Sequence, residues 1–188
     1  MIISLTGFMG CGKSSVGRRL SELLCCPFMD LDSVIEAETG RSIPEIFASE
    51  GEGTFRRMEK ETLDKVISAS SGMLILSLGG GTVMTKECAE MIKEKTTCVY
   101  LRASIDTLAE HLEGETSNRP MLSQTRSQSA KPDSGQVQKT EDITLRERIS
   151  TLMAKRSSTY EGTAHHIIDI DGKQIDDIAE DIRKAVRL

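Results

Sequence analysis

The sequence predicts an α/β fold, a single three-layer domain in which helices cover both faces of a central five-stranded parallel sheet. A short apolar run at the N-terminus ends in a glycine-rich loop that leads directly into a helix-forming segment. Further short apolar runs then alternate with helical segments, and this alternation is typical of a parallel sheet. The length of 188 residues suits one domain, 1–188, that can bury a substantial core.

The opening element is an apolar strand, Ile2–Thr6, followed by the pattern G-x-x-x-x-G-K-S from Gly7 to Ser14. Glycines let several backbone N–H groups converge on one polyphosphate, and the helix that follows presents its positive N-terminus to the anion. Lys13 is placed to reach the outer phosphates, and Ser14 to offer its hydroxyl to Mg²⁺. A glycine-rich turn without a ligand is the ordinary alternative. We predict that nucleotide phosphates are held by Gly10, Cys11, Gly12, Lys13, Ser14 and Ser15.

The next elements follow from apolar spacing and from turn residues. A second short strand, Phe28–Leu31, precedes a helical stretch, Ser33–Glu38, that ends at Gly40. Pro44 suits the first turn of a further short helix, and Glu52–Ser68 shows apolar residues at near-helical spacing. The continuous apolar run Met73–Leu78 has the character of a buried strand.

The remaining chain repeats the alternation of strand and helix. We predict helices over Thr85–Lys95, Ser104–Leu112, 143–160 and 174–187, and strands over Thr97–Leu101 and His166–Ile170. Residues 123–142 interrupt this order, because Val137 is their only large aliphatic side chain. Such a segment buries too little apolar surface to order itself, so the sequence predicts a mobile polar insertion.

Three features fall after the first three strands. They are the phosphate loop, the pair Asp30 and Asp32, and the triple glycine Gly79–Gly81. Ligands of open parallel sheets bind at the carboxyl ends of the strands. Residues two apart on a strand face the same side, so both carboxylates are expected in one cleft, with Asp30 supporting a metal ion and Asp32 facing an acceptor hydroxyl. Two aspartates that merely cap the next helix are the alternative.

Composition excludes several classes of protein. A net charge of −5 and only six aromatic residues, four Phe and two Tyr, argue against a nucleic-acid surface. Five cysteines without a C-x-x-C pair indicate reduced thiols rather than disulfides or a zinc site. No apolar stretch approaches the roughly 18 residues that a membrane span needs. We expect a cytoplasmic monomer without a nucleic-acid or membrane partner.

Six segments in this order resemble the shikimate kinase family, and together they cover most of the chain outside 123–142. They are GFMGCGKSSVGRRL (7–20), DLD (30–32), TGRSIPEIFASEGEGTFRRME (39–59), LSLGGGTV (76–83), NRPML (118–122) and MAKRSSTY (153–160). The resemblance implies a P-loop NTPase fold of the nucleoside-monophosphate-kinase type with a mobile lid. It also implies ATP-dependent, Mg²⁺-requiring phosphorylation of the 3-hydroxyl of shikimate, a step of aromatic amino-acid synthesis.

The resemblance also implies roles for particular residues. Shikimate would be held by Asp32, Arg56, Gly79, Gly80, Gly81 and Arg156. The shikimate-binding region itself would be about 32–61, and the triple glycine and the late arginine would reach it from elsewhere in the chain. Lys13, Asp32 and the lid arginine Arg119 would be catalytic, and Arg119 would also contact the nucleotide. Ser14 and, through water, Asp30 would hold the metal. The lid would span about 112–142. Helix geometry gives Arg57 and Glu59 only a supporting place, because they turn away from Arg56 or merely brace it.

The chain departs from the family pattern in places, and other functions stay open. His111 and Leu112 stand where an arginine that packs on adenine is expected, and Ser158 stands where a proline is common. On the residues alone, Arg156 reads as a solvent-facing helix residue beside Lys155.

Two other functions stay open. A related kinase that acts on gluconate or a nucleoside monophosphate is one alternative. A nucleotide-binding switch is another, although the sequence has no N-K-x-D element for guanine.

Overall fold

A computed structural model of the chain describes residues 1–113 and 144–188. The expected lid, about 112–142, falls almost wholly between these ranges. Arg119 and the polar insertion 123–142 therefore lie outside the described residues.

A sheet of five parallel strands forms the centre of the described structure. The strands are β1 (Ile2–Thr6), β2 (Phe28–Asp30), β3 (Leu74–Ser77), β4 (Thr97–Arg102) and β5 (His166–Asp169). Their order in the sheet is β2-β3-β1-β4-β5. The central strand β1 is buried along its whole length, as is β3. The predicted parallel sheet is confirmed, and the loops after β1, β2 and β3 leave it at the same edge.

Helices lie on both sides of this sheet. In the described part of the chain they are α1 (Lys13–Leu23), α2 (Leu31–Thr39), α3 (Ile43–Ala69), α4 (Lys86–Lys95), α5 (Ile105–Glu113), α6 (Leu145–Thr163) and α7 (Ile175–Ala185). Helix α1 packs against α7, whereas α4 packs against α3 and α6. The three-layer arrangement is therefore confirmed. Within 1–113 and 144–188, every helix is too short or too polar to cross a bilayer.

The low aromatic content predicts a core of isoleucine, leucine, valine and methionine. Isoleucine and leucine dominate the core, with a few valines, but each methionine of the described residues is only partly buried or exposed. Two aromatic rings nevertheless lie at its centre. Tyr100 on β4 and Tyr160 on α6 are buried and stack with their ring centroids 5.2 Å apart. The pair fixes α6 against the sheet, close to the edge from which the functional loops emerge.

The junction of β2 and α2 differs from the sequence prediction. The strand ends at Asp30, and the helix begins at Leu31 rather than at Ser33. The side chain of Asp30 is the N-cap, since its Oδ1 accepts a hydrogen bond of 3.3 Å from the backbone N–H of Ser33. An aspartate at an N-cap favours a helix start immediately after it, so the strand is shorter than its apolar pattern indicates.

Helix α3 is interrupted at Gly51. Its backbone there has φ 79° and ψ 171°, which is a conformation almost restricted to glycine. The two helices expected on either side of this glycine are thus joined end to end through a kink. The kink changes the direction of the chain shortly before Arg56, which belongs to the candidate site.

Substitution of Gly51 by alanine is expected to destabilise the protein. A Cβ has open space at this position, so the effect comes from backbone strain alone. We expect the free energy of unfolding in urea to fall by about 1–3 kcal/mol. Gly53→Ala is the matched control, because this neighbouring site is also open but has no positive φ, and alanine there should be neutral or stabilising by up to about 1 kcal/mol. Equal effects at the two positions would contradict the assigned strain.

Candidate active site

The loop between β1 and α1 forms one end of the site. Helix α1 begins with the hydrogen bond from Val16 N–H to the Gly12 carbonyl. No side chain of the described residues caps its first turn, so the N–H groups of that turn remain available to an anion. The ammonium group of Lys13 donates to the carbonyl oxygens of Gly7 and Phe8, each at 3.0 Å. The third N–H of the ammonium group is directed at Cys11 Sγ, 3.8 Å away, and this weak acceptor can give way to a phosphate oxygen.

Ser14 and Asp30 join this loop to the end of β2. The Ser14 hydroxyl donates to Asp30 Oδ2 at 2.6 Å, and its oxygen lies 3.5 Å from the hydroxyl of Ser77 at the end of β3. The hydroxyl oxygen and the carboxylate oxygen lie close together, and both are hard ligands for a metal ion. Such a donor set suits Mg²⁺ that keeps several of its waters.

Asp32 lies in the cleft for a reason other than the one expected. It occupies the first turn of α2 rather than an alternating strand position, so strand alternation was the wrong argument for its direction. Burial, together with the negative charges of Glu59 and Asp30, raises its pKa from the ordinary 3.8 to about 6, while Lys13 opposes the rise. The carboxyl group is therefore poised to take up or release a proton near neutral pH.

A buried ion pair stands beside Asp32. Arg56 Nη1 donates to Glu59 Oε2 at 2.8 Å, and Glu52 lies 3.2 Å from Nη2 of the same guanidinium. Glu59 is 0% exposed, and its other oxygen accepts from the Thr82 hydroxyl at 2.6 Å. Burial alone would lower the pKa of Arg56, but the attraction of Glu59 and Glu52 raises it. The expected bracing of Arg56 by Glu59 is thus present, and it fixes a cation at the cleft wall.

The triple glycine after β3 lies against these charged groups. A Cβ on Gly79 would stand 2.8 Å from Asp32 Oδ1, and one on Gly81 would stand 2.6 Å from Arg56 Nη2. Side chains at these positions would displace the carboxylate or the guanidinium. The run of glycines therefore allows the backbone to approach both groups closely.

Arg156 comes from the distant helix α6 and is buried rather than solvent-facing. It is 7% exposed, lies 3.5 Å from the Gly80 carbonyl through Nη1, and places its guanidinium carbon 5.9 Å from the centre of the Phe8 ring. The interpretation of Arg156 as a surface residue, which its position beside Lys155 suggests, is wrong. A buried guanidinium is usually partnered, and this one faces a cleft.

One cleft of about 1090 Å³ brings these residues together. Each described residue that the sequence singles out lines it, namely Gly10, Cys11, Gly12, Lys13, Ser14, Ser15, Asp30, Asp32, Arg56, Gly79, Gly80, Gly81 and Arg156. Arg119 is outside the described residues. The cleft therefore joins a phosphate-binding loop at one end to a carboxylate and two guanidinium groups at the other.

Sequence reasoning missed part of the cleft. Beyond the phosphate loop it continues between α5 and the turn before α7, along Thr107, Lys173 and Gln174. His111 on α5 also lines this end, and its Nδ1 lies 2.8 Å from the Gly10 carbonyl. Because a carbonyl oxygen only accepts, this contact places a proton on Nδ1. No local sequence pattern predicts this contact, because its two partners are about a hundred residues apart in the chain.

Comparisons with known proteins point to one family. The family model for shikimate kinase matches residues 9–187. The chain is 39% identical to the shikimate kinase of Chlorobium limicola over 98% of this chain and 86% of that protein, and 35% identical to that of Dictyoglomus turgidum over 98% and 96%. It also resembles the structure of shikimate kinase from Acinetobacter baumannii in complex with shikimate, with a TM-score of 0.83 and 31% identity over 99% of this chain and 92% of that one.

Proposed function

The chain belongs to the shikimate kinase family and phosphorylates shikimate with ATP, and we propose that the cleft described above is the place of this transfer. A single observation carries the proposal. The phosphate loop with Lys13 lines the same cleft as Asp32, whose carboxylate can accept a hydrogen bond from a substrate hydroxyl. Arg56 and Arg156 also line this cleft. This arrangement suits a polyphosphate donor and an acidic alcohol as acceptor.

The nucleotide end of the cleft is assigned to the phosphate loop. The backbone from Gly10 to Ser15 is placed to surround the phosphates, and the remaining donor of Lys13 to bind an outer phosphate oxygen. Arg119 is assigned to the transferring phosphoryl group on the family resemblance alone. Positive charge at this point offsets the negative charge that develops during transfer.

Mg²⁺ is assigned to Ser14 and, through water, to Asp30. The hydrogen bond between their oxygens supports this assignment, because it brings both oxygens within reach of one small cation. When bound, the ion supplies charge neutralisation to the phosphates. The chain's own part is to hold these two oxygens at the boundary between the nucleotide and acceptor ends.

The acceptor end is assigned to a region of about 32–61, together with the glycine loop and α6. Arg56 and Arg156 are placed to bind the shikimate carboxylate, because guanidinium groups bind carboxylates by charge-assisted hydrogen bonds. The peptide groups of Gly79–Gly81 form the wall between the arginines and Asp32. Asp32 accepts a hydrogen bond from the 3-hydroxyl and orients it.

The transfer itself needs few groups from the protein. The 3-hydroxyl oxygen forms a bond to the γ-phosphorus as the bond from that phosphorus to the bridging oxygen of ADP breaks. The hydroxyl proton passes to Asp32, or is oriented by it until it leaves. With a pKa of about 6, Asp32 is ionised at neutral pH and can accept this proton.

A coupled ADP-release assay tests the proposal directly. ADP should appear only when shikimate, ATP and magnesium are all present. Gluconate and nucleoside monophosphates, the alternative acceptors of kinases of this build, should give no turnover, and GTP should be a poorer donor than ATP. ADP release that does not depend on shikimate would reject the assignment of the acceptor end.

Removal of the late arginine should affect the two substrates differently. Arg156→Ala is expected to raise the KM for shikimate about 10- to 100-fold, the effect of one lost charge-assisted contact, with the KM for ATP nearly unchanged. Initial-rate measurements with each substrate varied in turn measure this. Lys155→Ala, which removes the exposed neighbouring cation, should leave both constants as they are. An unchanged shikimate KM in Arg156→Ala would return Arg156 to a structural role.

A further inference from the structure

The three carbonyl groups of the glycine loop are held in different ways. The Gly79 carbonyl accepts from Thr82 N–H at 3.2 Å, and the Gly81 carbonyl accepts from Met84 N–H at 3.0 Å. Both partners belong to the turn that follows the loop itself. The Gly80 carbonyl is held from a distant part of the chain, by the Tyr160 hydroxyl and, more weakly, by Arg156.

Tyr160 is well suited to hold this carbonyl permanently. It is 0% exposed, and its ring is fixed by the stacked ring of Tyr100. Burial raises the pKa of Tyr160, an effect that the neighbouring Arg156 partly opposes. The hydroxyl therefore keeps its proton, and a buried donor needs an acceptor, which the Gly80 oxygen provides at 2.5 Å.

The direction of the Gly80 carbonyl determines the direction of the next N–H group. The C=O and N–H of a trans peptide point in opposite directions, and the described chain has no cis peptide bond. When α6 holds the Gly80 oxygen, the N–H of Gly81 is directed away from α6. Gly81 is also the residue that lies against the Arg56 guanidinium.

We infer that Tyr160 is a positioning residue that orients the Gly80–Gly81 peptide, so that the Gly81 N–H joins Arg56 in binding the acidic acceptor substrate. This inference rests on the proposed assignment of the glycine loop to shikimate. Tyr160 does not touch the substrate. It acts through the Gly80 carbonyl, with Arg156 beside it.

Gly80 is closely surrounded, and the Tyr160 hydroxyl is the nearer of the two groups that hold its carbonyl. A Cβ on Gly80 would stand 3.2 Å from the backbone nitrogen of Met9 in the phosphate loop. The glycine is thus confined between α6 and that loop. Without the Tyr160 hydroxyl, the carbonyl retains the 3.5 Å contact with Arg156, which is at the outer limit for a hydrogen bond.

Tyr160→Phe tests the inference, because it removes the hydroxyl and keeps the stacked ring. We expect the KM for shikimate, and its Kd by titration calorimetry, to rise about three- to tenfold. The KM for ATP and kcat should stay within about twofold of the parent values, since one neutral hydrogen bond at the acceptor end is lost. Tyr100→Phe is the matched control, because it removes a hydroxyl from the other ring of the stack and leaves Gly80 untouched.

The outcomes separate this inference from the proposed cleft. An unchanged shikimate KM in Tyr160→Phe overturns it, as does an equal rise of both KM values accompanied by a lower Tm, which would indicate a structural role only. If Arg156→Ala raises the shikimate KM while Tyr160→Phe does not, the cleft assignment stands and the positioning role fails. Loss of shikimate dependence in the parent enzyme would remove the cleft assignment itself.

Discussion

Replacement of Lys13 by alanine is expected to lower kcat by at least about a hundredfold, the effect of removing one positioned donor from developing charge. The ammonium group already donates to the Gly7 and Phe8 carbonyls, and alanine can replace neither those bonds nor the contact to an outer phosphate. The fold should remain intact, because the core packing does not depend on this partly buried side chain. Steady-state rates at saturating shikimate and ATP measure the loss, and far-ultraviolet circular dichroism checks the fold.

Lys86→Ala is the control for this change. It removes a highly exposed ammonium group at the start of α4, which lies 3.7 Å from a carboxylate oxygen of Glu90, so its kcat should equal that of the parent. Retention of substantial turnover by Lys13→Ala in a folded protein would mean that the outer phosphates are bound elsewhere. The assignment of the loop would then have to be abandoned.

Asp32→Asn is expected to lose activity and gain stability. An amide cannot accept the hydroxyl proton, so kcat should fall by about a hundredfold or more. The pKa of Asp32 is about 6 in the folded protein and ordinarily 3.8, so the ionised carboxyl destabilises the fold above pH 6, and this penalty disappears as the pH falls towards 3.8. At about pH 8 the variant should therefore be more stable by about 1–3 kcal/mol, and the gain should shrink at about pH 4.

Urea unfolding of the protein without nucleotide or metal measures this gain at the two pH values. Asp64→Asn provides the control, because it makes the same chemical change at an exposed position of α3. It should alter neither turnover nor the pH dependence of stability. A stability difference for Asp32→Asn that is the same at both pH values would contradict the raised pKa.

The sequence predicts most of the fold because its signals are local. The apolar run Ile2–Thr6, the glycine spacing of the phosphate loop and the alternation of strands with helices each depend on neighbouring residues. The pairing of Arg56 with Glu59 was expected for the same reason, since residues three apart on a helix are neighbours. Strand alternation predicts the correct place for Asp32 for the wrong reason, because the N-cap at Asp30 puts Asp32 in the first turn of a helix.

The rest of the site depends on contacts between residues far apart in the chain. In the sequence, Arg156 looks like a surface residue beside Lys155. Its burial depends on how α6 packs on the sheet, which the neighbouring residues in the chain do not indicate. The contacts of His111 with Gly10 and of Tyr160 with Gly80 join positions separated by 101 and 80 residues. No periodicity or motif within one segment encodes such pairs, so they become visible only once the strand order is known.

Asp30 shows how closely the two ends of the cleft are joined. Its Oδ2 accepts a hydrogen bond from the Ser14 hydroxyl, and its Oδ1 accepts one from the N–H of Ser33, in the first turn of the helix that carries Asp32. A single substitution at Asp30 would loosen both ends together. The kinetic losses of such a variant would combine effects at the nucleotide end and at the acceptor end, so we expect the constants for both substrates to change together.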